Sequence, residues 1–127
     1  MKRRLKIAPF FLVLLIGGGV CAVYIYNAYL VPFRRAKEVV LRQNLWTMRK
    51  AVDFYANDKG KRPQSFGELV SAGYLREIPA DPFTGSNQTW IIEREKESSV
   101  PNTPPGIIDV HSATAGADKN GKLYNQY

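Results

Sequence analysis

His111 is the only histidine in this chain and Cys21 the only cysteine, so nucleophilic or metal chemistry would have to be built mostly from carboxylates. Cys21 lies inside an uncharged run, where a water-side reaction cannot reach it, and a lone cysteine says nothing about redox compartment. Gly18-Gly19-Val20-Cys21 does not suit lipoprotein cleavage, because Val20 is bulky where a small residue is needed. His111 closes Ile107-Ile108-Asp109-Val110-His111, which reads as a strand, and is expected to be a half-buried sheet residue rather than a base. Glu93 with Glu95, and Glu95 with Glu97, are two residues apart, a spacing that puts both members on one face of a strand. A solvated edge strand explains these acids better than a glycosidase pair does. With no phosphate loop, metal-ligand spacing or triad, the sequence predicts no enzyme and no catalytic or cofactor-binding residue.

The residues that do carry information belong to one long stretch. After a basic tip of Lys2, Arg3, Arg4 and Lys6, the chain has 27 uncharged residues, Ile7 to Phe33. That run is longer than a signal-peptide core and longer than a minimal span, so it predicts a single retained membrane helix. Tyr24, Tyr26, Tyr29 and Phe33 cluster at its far end like an interface belt. Arg34, Arg35 and Lys37 oppose the basic tip, so charge alone leaves orientation open; the expectation adopted is a tip that stays inside. Gly17, Gly18, Gly19 and Pro32 interrupt the run, the glycines at up to about 3 kcal/mol of helix propensity in water. Either they form a small-residue face, Gly18 to Ala22, for close approach of another helix, or they let the segment bend on assembly. The net charge of +7 is uneven, with +10 on residues 1–62 and −3 on residues 63–127. Because the cations border an apolar run rather than line a recognition surface, no nucleic-acid partner is expected, and no small-molecule substrate.

Past Phe33 the helical pattern continues. Leu41, Leu45, Met48, Val52 and Tyr55 step by 4, 3, 4 and 3, a stripe on one helix face that needs a core partner. Arg42, Arg49, Lys50 and Asp53 fall on a solvated face, while Trp46 and Phe54 either widen the buried face or meet a neighbouring molecule. If the two halves form one helix of about 50 residues, it spans about 75 Å, over twice the hydrocarbon thickness. Asn57-Asp58-Lys59-Gly60 should end it. Ser65-Phe66-Gly67-Glu68 reads as a capping box opening a short helix that ends at Ala72-Gly73. Ile78 to Gly85 is a turn-rich connector, Trp90 to Glu93 and Ile107 to His111 are strands, and Lys122-Leu123-Tyr124 is a short last strand after a turn at Asp118 to Gly121. The class is α+β, with residues 1–33 as tip and membrane helix and residues 34–127 as a domain that includes the amphipathic half of the long helix.

In order, the basic tip, a membrane helix with Val31-Pro32 deep in it, Ala51-Val52-Asp53-Phe54-Tyr55-Ala56-Asn57-Asp58-Lys59-Gly60 with Pro63, and Gly73-Tyr74-Leu75-Arg76-Glu77-Ile78-Pro79-Ala80-Asp81-Pro82 make a specific pattern. It resembles the type IV pilin superfamily, most closely the major pseudopilin of type II secretion. Asp109-Val110-His111-Ser112 and Gly121-Lys122-Leu123-Tyr124 are similar to the C-terminal sheet of that group. The resemblance, over about residues 25–127, implies a pilin-like fold. It also implies a bacterial inner-membrane protein with a cytoplasmic N-terminus and a periplasmic C-terminal domain. Its partners would be the inner membrane, other pseudopilin copies and secretion-machine components. The helices of that family bundle into a short filament that drives folded proteins through an outer-membrane channel.

Aligning Pro32 with the family proline puts the processing site between Phe10 and Phe11, and the family's assembly glutamate at Leu15. Phe10 stands where the family has glycine, and no acid lies in the span. A chain that stays uncut and does not polymerise, acting as a membrane-tethered adapter with the same fold, is the alternative these departures raise. Losing the glutamate also removes the cost of an intramembrane charge. Major pseudopilins often bind calcium in their C-terminal loops. Here Asp118 and Asn120 offer oxygens beside Gly121, but the usual acidic cluster is missing and calcium takes six to eight oxygens, so a plain turn is the expectation there.

Overall fold

A computed structural model describes residues 8–127; the basic tip Lys2, Arg3, Arg4 and Lys6, with Ile7, lies outside the described residues. The chain divides into two compact units, Met1–Ala36 and Lys37–Tyr127.

The first unit is helical. Helix α1 (Ala8–Ile25) leads into a wide π turn (Tyr26–Leu30) and then into the start of α2 (Val31–Lys59). Pro9–Lys59 therefore reads as one run of helix, long and apolar enough by length and composition to cross a membrane. Its interruption is not where three glycines would put it. Gly17, Gly18 and Gly19 sit inside regular α-helix, and the irregularity falls on the turn before Pro32. Proline lacks an N–H, and its ring presses on the carbonyl four residues back. The helix opens by one residue to make room, so that the Val31 N–H donates to the carbonyl of Tyr26, five residues back.

In the second unit, Leu41, Leu45, Met48, Ala51, Val52 and Tyr55 of α2 are all buried, and Trp46 and Phe54 are exposed. The helix ends as its sequence implies: Gly60 has φ of 67° and its N–H donates to Ala56 O at 2.9 Å. Helix α3 (Phe66–Ser71) is capped by Ser65, whose Oγ accepts from Glu68 N. The reciprocal arm reaches one residue further back than in the usual box, with Glu68 Oε2 accepting from Gln64 N at 2.7 Å. Gly73, at φ of 81°, closes α3 with Tyr74 N donating to Leu69 O and its own N–H to Val70 O, a Schellman arrangement.

Strands β1 (Trp90–Arg94) and β2 (Ile107–Ser112) pair antiparallel, Trp90 opposite Ser112 and Glu93 opposite Asp109. The register slips between Glu93 and Arg94, leaving Ile108 as an extra residue. This bulge lets both Ile107 and Val110 face the core. Phe66, Leu69, Leu75, Trp90, Ile107, Val110, Tyr124 and Tyr127 complete the cluster around the α2 stripe.

Three expectations are corrected. Lys122-Leu123-Tyr124 is not a strand: Leu123 makes one bridge to Ala117, and Tyr124–Gln126 is a 3₁₀ turn. A strand would send alternate residues to opposite faces, whereas this turn brings Tyr124 and Tyr127, three apart, into the core together. Strand β1 ends at Arg94, so Glu95 and Glu97 share no strand face with Glu93. Glu95 instead pins the long loop, accepting from Ser99 Oγ and, at 3.1 Å, from Gly106 N. Arg49 is not on the solvated face, because β2 and the C-terminal segment come up against that side of α2.

Candidate functional site

The residues marked for processing and assembly lie in the first unit and are open on all sides within this chain. Phe10, Phe11 and Leu15 are 65%, 59% and 74% exposed. A Cβ built on Gly17, Gly18 or Gly19 meets nothing within 4 Å, and Pro32 is exposed. Every described side chain from Pro9 to Leu30 is exposed, although the run contains no charge. Leaving such a surface in water costs roughly 25 cal/mol per Å² of apolar area, and the helix is long and apolar enough to be a possible membrane span. The helix supplies spacing, and its side chains are predominantly apolar.

Polar chemistry concentrates in the second unit, where the end of the chain meets α2 and β2. Arg49 donates from Nε to Asp109 Oδ1 at 2.5 Å, and from Nη2 to the main-chain oxygens of Val110 and Tyr127. His111 points its Nδ1 at the same Tyr127 oxygen, 3.2 Å away. Its other nitrogen, Nε2, is 3.6 Å from Glu93 Oε2 and 3.6 Å from Asp109 Oδ2. Beside this group a cleft of about 470 Å³ opens between Arg42, Trp46, Lys122 and Tyr127. The Arg42 and Lys122 cations lie 5.1 and 5.2 Å from the Tyr127 ring centroid.

Asp118 and Asn120 close the neighbouring turn. Asp118 Oδ1 accepts from the backbone N–H groups of Asn120 at 2.8 Å and Lys122 at 3.0 Å, and Oδ2 accepts from the Tyr127 hydroxyl at 2.7 Å. The Tyr127 hydrogen bond holds the Asp118 carboxyl below the usual carboxylate range. Burial, and then the same bond, push the Tyr127 phenol up to about 12. Both Asp118 oxygens are therefore engaged in shaping the loop.

Two acids, Glu38 and Asp81, are buried. Glu38 accepts from the Tyr124 hydroxyl at 2.9 Å and has Arg42 Nη2 at 3.8 Å. Asp81 is fully buried: one oxygen accepts from the backbone N–H groups of Phe83 and Thr84, the other from the hydroxyls of Ser112 and Thr114. The backbone half of that network was readable, since an aspartate before Pro82 and Gly85 is an Asx-turn signal. The half contributed by Ser112 and Thr114, more than thirty residues on, had no local signal. Comparison with protein-family models, characterised proteins and solved structures gives no match.

Proposed function

We propose that the chain is a structural, pseudopilin-like subunit of a type II secretion or type IV pilus-like machine, anchored in the bacterial inner membrane with its C-terminal domain in the periplasm. The observation that carries this reading is the division of one helical run. Its uncharged part, through Leu30, exposes every described side chain, and its later part supplies the Leu41 to Tyr55 stripe on which α3 and a small antiparallel sheet are built. A tethered domain with no partners needs a membrane helix, but it does not need that helix to continue as the axis of its own core. The Gly-Tyr-Leu to Asp-Pro connector supports the same reading: its Asp81 organises the turn, and Trp90 Nε1 donates to Pro79 O at 2.8 Å.

The second reading is a non-polymerising, membrane-tethered adapter, and a specific observation favours it: Phe10 stands at the expected cleavage glycine and Leu15 at the docking glutamate. The intact mass of protein extracted from membranes decides between the two. A subunit that starts at Phe11, especially a methylated one, supports the filament reading; retention of Met1 turns the assignment to the adapter. Cysteine crosslinking between the Leu12 to Val31 stretches of neighbouring copies should give ladders, and a purely monomeric product would overturn assembly.

A further inference from the structure

The cluster on the outward face of the sheet brings two acids and the single histidine together from both strands. Glu93 and Asp109 are directly opposite each other on β1 and β2, and like charges in that position destabilise a strand pair. Arg49 engages Asp109 through Oδ1 and leaves Oδ2 turned toward His111. The imidazole is oriented independently of the two acids. Its Nδ1 faces a main-chain oxygen of Tyr127, which can only accept, so the ring proton belongs on Nδ1. Nε2 is left facing one oxygen of each carboxylate.

One imidazole nitrogen and two carboxylate oxygens, all of them metal-ligand types, thus converge on one point. We propose that Glu93, Asp109 and His111 form a binding site for a divalent transition-metal ion of the zinc type. His111 Nε2 and one oxygen from each carboxylate are the ligands, and all three ligand atoms lie within 4.8 Å of one another. In a tetrahedral zinc site with bonds of about 2.0–2.1 Å, ligand atoms are about 3.3 Å apart. The two nitrogen-to-oxygen separations of 3.6 Å are a few tenths of an ångström wider; the exposed Glu93 side chain can close its own, and a small turn of the imidazole or of Asp109 closes the other. The surroundings match what such sites use to hold their ligands: a backbone oxygen on the second nitrogen of the imidazole, and Arg49 on the second oxygen of Asp109. The imidazole selects against calcium and magnesium, which take oxygen ligands. Three protein ligands leave a fourth position for water or a group from another molecule. Arg49 opposes the ion electrostatically, so the site is one of exchangeable rather than permanent metal.

The test uses the full chain, without an affinity tag, in detergent micelles after chelator treatment. Zinc chloride alone is titrated by calorimetry and by competition with a chromogenic chelator. One zinc per chain is expected, with binding weakened about a hundredfold by His111→Ala and at least about tenfold by Glu93→Gln. Because Glu93 is exposed, its variant separates loss of a ligand from loss of the fold, and circular dichroism of each variant checks this. As the only histidine, His111 also gives a single set of imidazole nitrogen resonances, and zinc should move Nε2 while Nδ1 keeps its proton. Failure to bind zinc, unchanged affinity in both variants, loss of the Nδ1 proton on zinc binding, or calcium binding as tight as zinc would each overturn the assignment.

Discussion

The two units handle apolar side chains in opposite ways. From Pro9 to Leu30 every described side chain is exposed and none is charged; between Lys37 and Tyr127 the buried apolar residues gather in one core, although others stay exposed. The first region is finished only by what surrounds it, whereas the second is finished by its own folding. Within α2 both situations occur on a single helix, since Leu45 and Met48 are buried while Val39, Val40, Trp46 and Phe54 are exposed. Apolar content thus says little about a residue's role until its neighbours are known.

Substitutions that remove the same atoms from the two regions should separate them most clearly. Leu45→Ala, at a position only 1% exposed, is expected to destabilise the second unit by about 2–5 kcal/mol in denaturant unfolding followed by circular dichroism. Leu15→Ala should leave the same transition within about 0.5 kcal/mol. If both shift the midpoint equally, the distinction between the regions fails. Asp81→Ala tests the polar side of the core. It strands buried donors on Phe83, Ser112 and Thr114 and should cost about 3 kcal/mol, although it removes no apolar contact.

Gly106→Ala sharpens the comparison with Gly17 to Gly19, where a methyl group meets open space. At Gly106 the new Cβ would lie 2.3 Å from Arg62 Cβ and 2.9 Å from Arg62 backbone atoms, so a loss of about 1–3 kcal/mol is expected. Gly18→Ala should leave domain unfolding unchanged.

The second unit also carries a pH dependence. The Tyr55 hydroxyl donates to Glu68, a bond that first of all raises the phenol to about 12 and holds the Glu68 carboxyl below its usual range. For the raised phenol, stability is fully present below pH 10 and is lost as pH climbs through about 12. For the lowered carboxyl, stability is present above the ordinary glutamate range and is lost as pH falls through the depressed folded value. Tyr55→Phe should cost about 2 kcal/mol at neutral pH and reduce both limbs, leaving the alkaline contributions of Tyr127 and Tyr74 and the acid ones of Asp118 and Glu95. A variant whose profile overlays the unmodified chain in both limbs would show that this bond does not couple stability to pH.

What the sequence determined by itself is everything set by spacing along a helix or by one turn. The 27-residue uncharged run, the stripe from Leu41 to Tyr55, the stop at Gly60 and the cap at Ser65 all follow from backbone geometry within a few residues. The strands at Trp90 and Ile107 were legible for the same reason, to within a residue at their ends. Tertiary structure alone decided the pairing of distant segments. The bulge at Ile108 sets Glu93 against Asp109, and the final turn carries the Tyr127 oxygen to Arg49 and His111. Burial of Asp81 depends on a strand that begins 26 residues later. Local periodicity repeats at every turn and can be read from one segment. A register or a buried polar contact is a single choice among many pairings, and only the packed core selects it.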